Sequence, residues 1–142
     1  MPLPAPERGL VISYAYLWHA EHAQGREDGT KNRPCVIILA AEAKDGDCLV
    51  TVAPITHTEP AEPDAAVEIP LPTKRRLALD SERSWVILNE VNRFWWPGPD
   101  LRPIAPARFD YGFLPPALFQ KIQKRLADYY RARQLIIVTR SQ

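Results

Sequence analysis

The sequence predicts a mainly β protein of the α+β class: a small closed or half-closed sheet with one late helix laid across it. Three observations lead there. Five or six short runs rich in β-branched or aromatic residues are separated by polar stretches carrying Gly or Pro. Two of these runs, residues 34–39 and 48–55, flank Lys44-Asp45-Gly46-Asp47. Asp-Gly between apolar runs signals a hairpin, because glycine accepts the positive φ that a tight turn requires. Finally, Leu118, Ile122, Leu126 and Tyr129 follow at spacings of four, four and three, which puts them on one helical stripe.

In chain order, residues 1–8 read as an extended arm and residues 9–142 as a single domain, long enough to bury a core. The first strand is Arg8-Gly9-Leu10-Val11-Ile12-Ser13-Tyr14-Ala15-Tyr16-Leu17. It leads into a polar, Gly-containing loop through residue 31 that exceeds the usual connection length. The hairpin follows, then a proline-stiffened loop over 57–66. Val67-Glu68-Ile69-Pro70 is a short strand whose proline suits a sheet edge. The stretch 71–82, with Lys74-Arg75-Arg76, is read as irregular or a brief helical turn. Residues 84–92 read as one strong strand, Phe94-Trp95-Trp96-Pro97-Gly98-Pro99-Asp100 as an aromatic turn, and Leu101-Arg102-Pro103-Ile104 as a last barrel strand. The helix is expected near 116–132, with proline tolerated in its first turn. Leu135-Ile136-Ile137-Val138-Thr139 is either a strand or the buried tail of that helix.

Composition excludes several classes. No apolar run of about 18 residues is present, so no membrane-spanning helix is expected. The N-terminus lacks the hydrophobic core of a signal peptide, and a cytoplasmic location is expected. The two cysteines, Cys35 and Cys48, fall in opposite hairpin strands and outside any Cys/His cluster, so neither metal nor cofactor is expected. Net charge is +1 but unevenly spread: residues 101–142 hold 8 Lys/Arg against 2 acids. That basic end either attracts polyanions or is a solvated helix face.

The hairpin also nominates a site. Arg33 opens its first strand and Thr56 closes its second, so an antiparallel pairing brings both to one rim. A guanidinium and a hydroxyl held there on rigid elements suit a phosphate. An ordinary pair of strand-end polar residues is the plainer reading.

Taken together, Gly9-Leu10-Val11, Arg33-Pro34 opening an apolar strand, Val52-Ala53-Pro54-Ile55-Thr56, Val67-Glu68-Ile69 and Ser84-Trp85-Val86-Ile87-Leu88-Asn89-Glu90 resemble, in the same order, the PemK/MazF family of bacterial toxins over roughly residues 8–130. The resemblance implies an SH3-like (PemK-type) barrel with a C-terminal helix. It also implies a metal-independent endoribonuclease acting on single-stranded mRNA, a homodimer, and neutralisation by an antitoxin's disordered tail. The family's arginine, threonine and acid map onto Arg33, Thr56 and Glu90. Where members typically follow the acid with an Arg-Thr-Ile-Asp-like run, this chain has Asn92-Arg93-Phe94-Trp95-Trp96-Pro97, and its 97–116 stretch is longer and proline-rich.

Metal-free RNA cleavage needs a base at the 2′-OH, positive charge at the phosphorane and a proton for the leaving oxygen. Arg33 suits the second task and Thr56 can fix a phosphate oxygen. Arginine is a poor proton acceptor, so the base is sought elsewhere. His57 is a candidate by its side-chain chemistry, provided the strand has ended before it, and Glu90 is another. His19, His22 and Lys31 on the first loop, and Trp95 as a stacking platform, are candidate RNA contacts. Two rival readings share the fold: a CcdB-like gyrase poison, and a homologue that only binds RNA or a partner.

Overall fold

The computed structural model describes residues 3–23 and 32–140. Its elements are β1 (Leu10–Tyr14), α1 (His19–Ala23), β2 (Arg33–Glu42), β3 (Cys48–Thr56), β4 (Ala66–Glu68) and α2 (Leu71–Arg76). They continue with β5 (Trp85–Ile87), β6 (Glu90–Trp95), β7 (Asp110–Phe113), α3 (Pro116–Arg131) and β8 (Ile136–Thr139). The protein is mainly β within the α+β class, a mostly antiparallel eight-stranded sheet with a C-terminal helix.

The β2–β3 hairpin is its centre. Its turn closes with Ala43 N–H donating to Asp47 O at 2.7 Å and Gly46 N–H to Ala43 O at 3.0 Å. Gly46 has φ +89°, the left-handed geometry that the Asp-Gly signal anticipates. β1 lies antiparallel on the far side of β2, from Val11↔Val36 to Tyr14↔Arg33, and β7 lies outside β1. The free side of β3 is shared. β6 covers its first half (Leu49↔Trp95 to Val52↔Asn92) and β5 its end (Ile55↔Val86, Thr56↔Trp85). The apolar run 84–92 is therefore two strands, because Leu88 and Asn89 step the register between them.

Nearly continuous apolar strands, rather than alternating ones, have a direct cause: both faces of the central sheet are buried. Val11, Val36, Ile38, Ala53 and Ile55 face a core with Val86, Val91, Ile122 and Leu126. Their strand neighbours Ile12, Tyr14, Cys35, Ile37, Val50 and Val52 face a second core with Phe94 and Leu101. α3 closes the first core through Ile122 and Leu126, two residues of the predicted stripe. Pro115 caps this helix and Pro116 opens it, where a missing N–H leaves no hydrogen bond unmade.

The structure corrects some element expectations and decides two that the sequence left open. Leu101 makes only an isolated bridge to Tyr14; the outer strand beside β1 is Asp110–Phe113 instead. Prolines at 103 and 106 deprive the earlier stretch of donors for a ladder. The aromatic turn is partly strand, since β6 runs through Trp95. The first loop contains the short α1, and residues 71–76 form α2. The C-terminal apolar run is a strand, pairing parallel to β6 from Glu90↔Ile136 to Arg93↔Thr139.

Three of the C-terminal cations make bonds within the fold. Arg125 donates to the carbonyls of Asp64 and Ala66, both at 3.1 Å, and Arg131 pairs with Asp128 at 2.5 Å. Arg140 is buried: its Nη2 bonds Asp100 Oδ2 at 2.8 Å and its Nη1 bonds Ala15 O at 2.8 Å and Asn92 Oδ1 at 3.1 Å. No helix among the described residues is long and apolar enough to cross a membrane.

Candidate active site

The start of β2, the end of β3 and the segment that follows α2 enclose a cleft of about 740 Å³, lined by Trp18, Arg33, Thr56, His57, Lys74 and Asp80 among others. Cys35↔Pro54 is the last hairpin pair, and two residues further along each strand stand Arg33 and Thr56. Arg33 is half-buried, with Cζ 5.1 Å from the centroid of the Trp18 ring. Stacking on the indole face holds the guanidinium plane without consuming its hydrogen-bond donors. Its Nε is buried and has no hydrogen-bond partner among the described residues. An unmet donor on a fixed cation is a place for an anionic oxygen.

Thr56 ends β3, and its Oγ1 accepts the Thr58 N–H at 3.1 Å. That local turn takes the chain out of extended geometry, which resolves a difficulty of the strand pattern. Consecutive strand residues point to opposite faces, yet His57 lies just past the strand end and lines the same cleft as Thr56.

His57 Nε2 lies 2.6 Å from Asp80 Oδ2, and its Nδ1 lies 3.6 Å from Glu82 Oε2, beyond hydrogen-bond length. Asp80 is held in turn by Lys74, whose Nζ donates to Asp80 Oδ1 at 2.5 Å, to Ser84 Oγ at 2.5 Å and to the Glu82 carbonyl. Lys74 is only 2% exposed, so its ammonium has exchanged water for these three acceptors. The Glu82 N–H adds a bond to Asp80 Oδ1 at 3.1 Å. Desolvation works to raise the Asp80 carboxyl. The Lys74 hydrogen bond, the Glu82 N–H and the charges of Lys74 and His57 outweigh it and hold the group below its ordinary range.

His57, Asp80 and Glu82 bring one potential metal-ligand atom each within 4.8 Å of one another. The arrangement does not suit an ion. Lys74 already occupies Asp80 Oδ1 with a positive charge, and the two carboxylates face different ring nitrogens of one histidine. It is an ion-paired hydrogen-bond chain.

Other candidate residues stand apart from the cleft lining. Glu90 Oε1 accepts the Tyr16 hydroxyl and the His19 N–H, both at 3.0 Å, at the start of β6. Burial, then the Glu90 charge, pushes the Tyr16 hydroxyl well above its usual range. His19 is exposed at the start of α1. Trp95 is 41% exposed at the end of β6, across from Leu49. Lys31 lies outside the described residues, as does the side chain of His22.

The model of the PemK-like, MazF-like toxins of type II toxin–antitoxin systems matches residues 15–95. The chain belongs to this family. The matched segment holds every residue of the cleft named above, whereas β7, α3 and β8 fall beyond it. No curated protein matches the sequence. Membership in a type II toxin family implies an antitoxin partner.

Sequence reasoning missed Lys74 and Asp80. By residue type a lysine in a Lys-Arg-Arg run reads as a solvated cation. The usable signal was the set of acceptors six to ten residues downstream, Asp80, Glu82 and Ser84, after a proline-opened helical turn.

Proposed function

We propose that this PemK/MazF family member is a sequence-specific endoribonuclease that cleaves single-stranded mRNA by attack of the 2′-OH on the adjacent phosphorus and is inhibited by its cognate antitoxin. The observation that carries the reading is the Arg33 guanidinium, held over Trp18 in the cleft that Thr56 also lines, with a buried Nε that has no hydrogen-bond partner among the described residues. In this reading Arg33 stabilises the phosphorane oxygens and Thr56 donates to one of them. His57 Nδ1 takes the 2′-OH proton as the 2′-O–P bond forms; the P–O5′ bond then breaks and water protonates the leaving oxygen. Glu90, already bonded to Tyr16 and the His19 amide, serves to hold the mouth of α1 rather than to move protons. A homodimer is part of the proposal: Leu39 is 49% exposed on β2 and Trp95 stands uncovered on the same hairpin-backed sheet.

The test is purified protein with a synthetic RNA in EDTA. Cleavage leaving 2′,3′-cyclic phosphate ends supports the reading. Intact RNA, or cleavage abolished by EDTA, overturns it.

A further inference from the structure

The chain Lys74–Asp80–His57 is more ordered than a loop ion pair requires. Asp80 Oδ1 receives two donors, the Lys74 ammonium at 2.5 Å and the Glu82 N–H at 3.1 Å. Its Oδ2 is left for His57 Nε2 at 2.6 Å. A doubly occupied Oδ1 prevents the carboxylate from turning, so one oxygen always faces the imidazole. Because that oxygen accepts, the ring nitrogen opposite it must carry the hydrogen. His57 Nδ1 is then the nitrogen with the lone pair; the Glu82 carboxylate lies 3.6 Å from it on an exposed side chain.

We propose that Asp80 is a positioning residue, itself clamped by buried Lys74, that fixes His57 in the Nε2–H tautomer and leaves Nδ1 as the proton acceptor in the Arg33–Thr56 cleft. The inference rests on the ribonuclease reading above. The physical logic is that of a carboxylate orienting an imidazole base: the carboxylate selects the tautomer and does not itself receive the proton. A purely structural role for Asp80, pinning the 78–84 segment to α2, would show in folding stability and leave the His57 tautomer and the kcat of the folded variant unmoved. The two roles therefore separate on Asp80→Asn. In that variant the amide oxygen must remain toward Lys74 and the Glu82 N–H, because both are donors. The amide NH2 is thereby turned toward His57 Nε2, which has to accept, and the imidazole hydrogen moves to Nδ1. The clamp is kept while the tautomer is reversed.

The experiment combines ¹⁵N NMR of the imidazole nitrogens, without RNA, with steady-state cleavage kinetics. Wild-type protein and Asp80→Asn are compared, the His57 signals being assigned by their loss in His57→Ala. Wild type is expected to show Nε2–H and Asp80→Asn to show Nδ1–H, with kcat lowered roughly 100-fold and KM unchanged. Should Asp80→Asn not fold, the wild-type spectrum decides the point without a variant. An Nδ1–H His57 in wild type overturns the positioning. Asp80→Asn with reversed tautomer and undiminished kcat overturns the role of Nδ1 in proton transfer. Wild type that cleaves no RNA overturns the ribonuclease reading instead, while the tautomer signals still judge the clamp.

Discussion

Arg33 holds its guanidinium over an indole face, and no salt-bridge partner for it is found among the described residues. The arrangement favours a planar, two-pronged grip on phosphate oxygens, so Arg33→Lys is expected to restore only part of the cleavage lost in Arg33→Ala, since a point charge cannot reproduce the fork. Thr56→Ala is expected to slow cleavage roughly tenfold, the worth of about one neutral hydrogen bond. Combined with Arg33→Ala it should add less than that, because both act on one phosphate; single-turnover rates of the two single variants and the double variant check this. Asp80 supplies a pH dependence. Its folded carboxyl is held below the unfolded value, so the stabilisation is fully present above about pH 4 and is lost as pH falls through the folded value. Thermal melts should therefore separate wild type from Asp80→Asn most at neutral pH and progressively less as pH falls below about 4. A gap that widens on acidification would contradict the assignment. Of these residues, Arg33, Thr56 and His57 could be named from sequence, because a hairpin signal brings its open end together. Asp80 and Lys74 were missed, because a Lys-Arg-Arg run alone does not say which member turns inward and only the downstream acceptors point to it.

At the scale of elements, the hairpin and α3 were legible for the same reason: local chemistry decides them. Asp-Gly requires its turn, and a stripe at helical spacing under a proline-opened first turn requires its helix. Ile122 is fully buried against both the sheet and β4. Ile122→Ala is expected to cost about 2–5 kcal/mol in urea denaturation. A loss under about 1 kcal/mol would mean that α3 does not close the first core. Elements decided by distant partners were misread. Residues 84–92 look like one strand, and only the shared edge of β3 breaks them into β5 and β6. Of residues 101–104, Leu101 reaches the second core while making only an isolated bridge, so one buried apolar residue imitated a strand pattern.

Across the whole molecule, the C-terminus is tied back to the sheet by a buried charge. Arg140 joins β8 to Asp100, Asn92 and the Ala15 carbonyl, and so connects segments from both ends of the chain. Removing one partner of such a pair leaves an uncompensated buried charge, and Arg140→Ala is expected to lose about 3–5 kcal/mol of stability by denaturant melting. None of this was legible beforehand, since the basic C-terminal end reads equally well as a polyanion-binding face. Light scattering is expected to report a species of twice the 16.1 kDa chain mass at micromolar concentration; a monomer there would remove the homodimer from the proposal.

The measurement closest to the central claim is the single-turnover cleavage rate of Arg33→Ala against wild type on one synthetic RNA in EDTA, with melting curves recorded on the same samples. If Arg33 stabilises the phosphorane, the rate should fall roughly 100-fold or more, about 2.7–4 kcal/mol of transition-state stabilisation, while the melting curve is preserved. An Arg33→Ala protein that folds normally and cleaves at the wild-type rate would contradict the account.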